Sequence, residues 1–293
     1  MRPLSVALLV LVGACSSAAG GQAPATSSLA TESVSTTTLA ATTTLPSTTT
    51  TTLDPPAETT ITQPAEAKAI ITPSGVVVAV VAANPSGYLV TTPCGNEQEV
   101  STGTPVGGVR VVLDPGHGGE IDTGAVGSNG LMEKTLNLEL AQAVEANLIV
   151  RGIPVILTRT GDYASRLGVR TGLADRLGAD LLLSVHHNSP TLFPSPRPGT
   201  EVFIQSESDE SRRLGGVVYD HVVDALADFD VAWTAAHDAG VLEVLSSRGE
   251  DAYGINRNAE TVSVLTEMGY ISNPPEAALF ATDAYIHTAS EAL

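Results

Sequence analysis

Val111-Val112-Leu113-Asp114-Pro115-Gly116-His117-Gly118-Gly119 runs on through Asp122-Thr123-Gly124-Ala125 to Gly130-Leu131-Met132-Glu133-Lys134. Its apolar, β-branched opening has the composition of a buried strand. At Asp114 this gives way to a Pro/Gly-rich loop that holds a single imidazole. A helical pattern begins behind Glu133. In open α/β sheets, sites are built in the loops beyond the carboxyl ends of strands. His117 and Glu133 therefore stand where ligands or catalytic groups are placed. Each also has a plainer use, the imidazole as a turn cap and the carboxylate as a first-turn acid favoured by the helix dipole.

Downstream of this stretch the same alternation continues. Strand-like runs at 109–114, 154–157, 181–186, 200–204, 240–245 and 262–267 are separated by helical patterns at 134–150, 166–177 and 209–228. Leu136, Leu140, Val144 and Leu148 recur near one face of the first helix, and Gly152 follows its end. This pattern predicts an α/β domain over 108–293, a mostly parallel twisted sheet with helices on both faces. No zinc-finger spacing, phosphate-binding glycine loop, dinucleotide fingerprint or internal repeat is present. The net charge of −18 excludes a nucleic-acid partner, which needs clustered Lys and Arg, and speaks against binding to an anionic lipid surface.

Upstream the composition changes twice. Residues 67–107 carry two strand-like runs, Gly75–Val81 and Tyr88–Thr92, around the turn signal Asn84-Pro85-Ser86-Gly87, which predicts a small β hairpin module. A lone hairpin is marginal in water, so the module is expected to pack on the larger domain or to belong to a wider sheet. Cys94 reads as a small buried residue rather than a reactive thiol. Residues 16–66, rich in Thr, Ser, Ala and Pro, lack the apolar surface needed to repay ordering and read as a disordered tether with a reach of roughly 40 Å. Residues 1–15 have one Arg followed by an apolar run too short for a permanent span, a signal peptide for export. The end of that run, Leu11-Val12-Gly13-Ala14-Cys15, resembles a bacterial lipobox. It implies lipidation of Cys15, with anchoring to the outer face of the cytoplasmic membrane through two acyl chains; the alternative is ordinary signal cleavage near Ser17-Ala18-Ala19, with Cys15 discarded.

Two more blocks stand in line with the first: Ser184-Val185-His186-His187-Asn188, and Leu265-Thr266-Glu267-Met268-Gly269-Tyr270-Ile271-Ser272-Asn273. Together, over roughly residues 108–293, the three closely resemble the zinc-dependent N-acetylmuramoyl-L-alanine amidases of the AmiC/CwlV type. The resemblance implies His117, Glu133 and His186 as zinc ligands and Glu267 as the catalytic carboxylate. It implies peptidoglycan as substrate, cut at the amide between N-acetylmuramic acid and L-alanine, with the protein in the extracytoplasmic cell envelope. Three protein ligands with an open fourth position are what a catalytic zinc requires, and a carboxylate beside its water completes the chemistry.

Successive side chains on a strand face opposite ways, so only one imidazole of His186-His187 easily meets the metal. The resemblance selects His186. His187 stands where relatives usually have a small residue, and its uses are a hydrogen bond to a ligand, a substrate contact or competition for zinc, the first being favoured. Tyr270 stands where Phe is usual. Arg257 is a candidate for a stem-peptide carboxylate, or else a surface ion pair. Asn188 and Asp114 are candidates to orient groups at the site, Asn188 also to touch substrate, and ordinary loop capping would account for either. Whether a protein activator takes part is left open. The rival functions are another zinc peptidase or deacetylase on the same scaffold, or a wall-binding lipoprotein.

Overall fold

The structure, a computed structural model, describes residues 67–189, 199–233 and 240–293. The expected signal peptide, tether and lipidated Cys15 lie outside these residues. Six strands form the main sheet: β6 (Val111–Pro115), β7 (Val155–Leu157), β8 (Leu181–Asn188), β9 (Glu201–Ile204), β10 (Gly240–Leu242) and β11 (Ser263–Tyr270). Their order is β10-β9-β11-β8-β6-β7. All neighbours run parallel except β9 and β11, which pair antiparallel. The expected α/β fold with a mostly parallel sheet is thus present. The apolar runs suit it, because strands covered on both faces need apolar residues on both, and every residue of β11 is buried.

Alternation along the strands fills two cores. Leu113, Leu183 and Val185 point to one face, where α1 (Glu133–Val150) packs Leu136, Leu140 and Val144, α3 (Asp209–Leu226) packs Val218 and Val222, and α6 (Asp283–Ala292) packs Tyr285 and Ala289. Val112, Leu182 and Leu265 point to the other, covered by Leu173, Ala174 and Leu177 of α2 (Leu167–Leu177) and Ile255 of α4 (Gly254–Asn258). Leu136 and Leu140 are fully buried, which stabilises the fold by about 1.5–3 kcal/mol for each such side chain. The expected helices match α1, α2 and α3 to within two residues at each end. Two short helices near the C-terminus, α5 (Pro274–Phe280) and α6, begin at caps, with Asn273 accepting from the Glu276 amide and Thr282 from the Tyr285 amide.

The expected hairpin is part of something larger. Five antiparallel strands, β1 (Ala69–Ile71), β2 (Val77–Asn84), β3 (Gly87–Thr91), β4 (Glu97–Val100) and β5 (Thr104–Val106), form a second sheet in the order β4-β3-β2-β1-β5. Ile70, Val78, Tyr88 and Val90 fill its own core, while Ala69, Val77 and Ala79 join the cluster around α2. All described residues belong to one compact unit. Cys94, in the turn between β3 and β4, is half-buried and disulfide-bonded. This overturns its reading as a reduced core residue.

Candidate metal centre

β6, β8 and β11 run parallel, so their carboxyl ends open on the same edge of the sheet. Each delivers a group there. His117 follows β6, His186 lies near the end of β8, and Glu267 sits in β11 directly beside His186 in the strand register. Glu133 arrives from the first turn of α1. One donor atom from each of His117, Glu133 and His186 lies within 4.8 Å of the others. Glu133 Oε1 is 3.1 Å from His117 Nε2 and 3.0 Å from His186 Nδ1. Two imidazoles and a carboxylate are a donor set that could hold a metal ion.

The surrounding bonds fix these groups. The second oxygen of Glu133 accepts from the Ala125 amide at 2.8 Å, and Oε1 also accepts from Asn137 Nδ2 at 3.3 Å. Burial opposes charge on Glu133, but hydrogen bonds and charges of His117 and His186 hold it far below the usual carboxylate range. His117 Nδ1 meets Asp122 Oδ1 at 2.5 Å. Burial disfavours its cation too, yet Glu133 and Asp122 together raise its pKa. His117 has a φ of 62°, a left-handed conformation that costs a residue other than glycine about 1–3 kcal/mol. A Cβ at the preceding Gly116 would fall 2.2 Å from the His186 ring, so the loop passes over that ring only because the position is glycine.

Asp114 and Arg170 anchor the same loop from beneath. Asp114 accepts from Thr158 Oγ1, Ser184 Oγ and Arg170 Nη1 at 2.5, 2.7 and 2.9 Å. Arg170 also donates to the carbonyls of Pro115 and His117. Burial works against the Asp114 charge, but Arg170 and the two hydroxyls hold its pKa below the ordinary value. A cavity of about 280 Å³ opens beside this cluster, lined by Asp114, His117, His186, Leu167, Gly254 and Ile255 among others.

Glu267 is buried, and one of its oxygens has no hydrogen-bond partner. Burial first, then the charges of Glu133 and Glu201, raise its pKa well above the ordinary carboxylate value. Glu201, which composition and motif did not single out, pairs with Glu267 across β9 and β11. Asn188 Nδ2 and the Tyr270 hydroxyl donate to it at 2.9 and 3.2 Å. Asn188 is therefore engaged with an acid of the site, and the Tyr in place of Phe supplies a donor. Arg257 donates Nη1 to the carbonyls of Asp251 and Ala252, closing its own turn next to the cavity-lining Gly254.

His187 points away from the cavity, as strand alternation requires. It is fully buried, with Nδ1 2.7 Å from Asn137 Oδ1 and Nε2 2.7 Å from the Tyr285 hydroxyl. Asn137 donates its amide to Glu133 and the Gly116 carbonyl, so its oxygen accepts and His187 Nδ1 carries the proton. Tyr285 then donates to Nε2. Burial, with a smaller contribution from His186, depresses the His187 pKa to about 3, and the ring stays neutral. His187→Ala leaves two buried polar partners unmatched and a cavity. It is expected to cost about 3–5 kcal/mol in denaturant unfolding of the metal-free protein.

A family described as N-acetylmuramoyl-L-alanine amidase matches residues 111–293. Among curated proteins, the uncharacterized protein YqiI of Bacillus subtilis is 34% identical over 203 residues, covering 69% of this chain and 86% of its own length. The N-acetylmuramoyl-L-alanine amidase AmiA of Escherichia coli is 32% identical over 212 residues, covering 61% of this chain and 72% of its own. Among solved structures, the amidase AmiC2 of Nostoc punctiforme superposes with a TM-score of 0.53 at 28% identity, over 64% of this chain and 94% of that one.

Proposed function

We propose that this chain, which belongs to the N-acetylmuramoyl-L-alanine amidase family, hydrolyses the amide between the lactyl group of N-acetylmuramic acid and L-alanine of the peptidoglycan stem, using zinc held by His117, Glu133 and His186. The observation that carries this reading is the convergence of those three donors at one sheet edge with Glu267 in register beside His186. Zinc in such a site supplies a Lewis acid for the amide carbonyl and makes water acidic enough to attack near neutrality.

The chain's own groups do the rest. Asn137, the Ala125 amide and Asp122 hold the ligands in place. A cation held by the neighbouring donors would favour the carboxylate form of Glu267, which, with its unpartnered oxygen, takes a proton from the attacking water and passes it to the departing alanine nitrogen. Leu167 and Ile255 wall the cavity with apolar surface. Digestion of purified peptidoglycan is expected to release stem peptides with a free L-alanine amine and to leave intact glycan strands. Deacetylated glycan, or cleavage within the peptide, would transfer the assignment to another zinc hydrolase.

Substrate and scaffold together suit an envelope location, and the Thr/Ser-rich tether suits reach across it. No helix among the described residues is long and apolar enough to cross a membrane. The proposed attachment is a diacylglyceryl thioether at Cys15. The intact mass of protein extracted from the envelope tests that thioether, an unmodified Cys15 refuting it.

A further inference from the structure

The loop from Thr158 to Arg166, between β7 and α2, has two packed sides. Its inner side lies on the loop that carries His117. A Cβ at Gly118 would fall 2.5 Å from the Tyr163 carbonyl oxygen, and one at Gly119 would fall 2.8 Å from the Ala164 nitrogen. The Gly119 amide donates to Asp162 at 2.8 Å, and Lys134 Nζ bridges Asp162 and the Gly119 carbonyl at 2.7 and 3.0 Å. Arg159, fully buried, donates to the carbonyls of Pro115 and Gly116 at 2.9 Å each.

The outer side lies on the small five-stranded sheet. The Tyr163 ring belongs to that sheet's own apolar cluster, with Ile70, Val78, Tyr88 and Val90. Its hydroxyl accepts from the amides of Val77 and Thr160, both at 3.3 Å. The Thr160 hydroxyl donates to the Gly75 carbonyl, and the Arg166 amide donates to the Pro93 carbonyl at 2.9 Å. One residue therefore has its ring in the small sheet and its carbonyl against the glycine that follows His117.

We infer that the small sheet is a working part of the metal centre: through Tyr163 and Thr160 it presses this loop onto Gly118 and Gly119 and so keeps His117 in its left-handed, ligand-presenting conformation. The inference rests on the metal reading above. A left-handed residue persists only where its surroundings over-determine it, and here part of those surroundings is supplied by strands that precede residue 111, where the family match begins. Tyr163 and Thr160 are positioning residues, since neither touches the ligands.

The test uses the full chain, with zinc affinity measured by chelator competition and stability measured on the same samples. Tyr163→Phe is expected to weaken zinc binding about tenfold, the scale seen when groups supporting metal ligands are removed. Thr160→Val is expected to act in the same direction and serves if the first variant does not fold. Val222→Ala, in the α3 face of the core far from this loop, controls for stability and is expected to melt lower while binding zinc as the parent does. Parental zinc affinity in Tyr163→Phe and Thr160→Val overturns the inference, as does an affinity loss in Val222→Ala that tracks its melting temperature. A parent that binds no zinc overturns the metal reading itself, a separate and distinguishable result.

Discussion

Glu267→Gln is expected to hydrolyse peptidoglycan at least about a thousandfold more slowly than the parent, within the range that one positioned acid–base group contributes, and yet to fold more stably without metal. The loss of rate follows from the role given to the carboxylate, because an amide cannot shuttle the proton. The gain in stability follows from its surroundings. Burial and the acids Glu133 and Glu201 raise its pKa well above the ordinary 4.5, so folding binds a proton that the unfolded chain has released. That cost is absent below pH 4.5, grows as pH rises, and levels off above the folded pKa. Gln carries no such cost. Metal-free Glu267→Gln should outlast the parent in denaturant at neutral pH and converge on it near pH 4. Parental turnover in this variant would remove Glu267 from the chemistry, and equal stability at both pH values would refute the account of its burial.

Zinc itself should have the second large effect. A ligand present at a thousand times its Kd, and bound only by the folded state, adds about 4 kcal/mol. For a domain of this size, that lifts Tm by roughly 8–16 °C. His117→Ala should abolish this rise, measured against the variant's own metal-free Tm. Uptake should also release protons, because His117 has a raised pKa in the metal-free protein and must bind zinc as the neutral ring. The measurement is calorimetry with and without zinc on both proteins. A parent indifferent to zinc, or a variant that responds as the parent does, would dismiss the proposed ligand set.

These effects depend on residues of unequal legibility. Val111–Leu113, Leu181–Leu183 and Val264-Leu265 announce themselves as buried strands because each is an unbroken apolar run, and the Leu136, Leu140, Val144 spacing announces α1. β1 and β5 have three residues each, and β4 reads Glu-Gln-Glu-Val, so no period could reveal a five-stranded sheet. At the site, His117 and Glu133 were visible as chemistry placed beyond a strand. Their meeting with His186, 53 residues after Glu133, is a product of tertiary structure that the family resemblance supplied. Strand alternation showed that only one of His186 and His187 could meet a metal, and the resemblance chose His186. Glu201 escaped notice because a single acid at the start of a strand looks like any solvated strand end. Its polar needs are met by Tyr270 of the adjacent β11 and by Asn188 of β8, one strand further on.

The placement of His186 beside Glu267 has a mechanical consequence. Their separation is a backbone repeat, the roughly 4.8 Å between hydrogen-bonded strands, and not a matter of rotamers on a surface loop. β8 and β11 lie in the middle of the sheet, where amide hydrogens are expected to exchange with solvent only when the whole domain opens. Heating should therefore not part His186 from Glu267 in any molecule that keeps its domain folded.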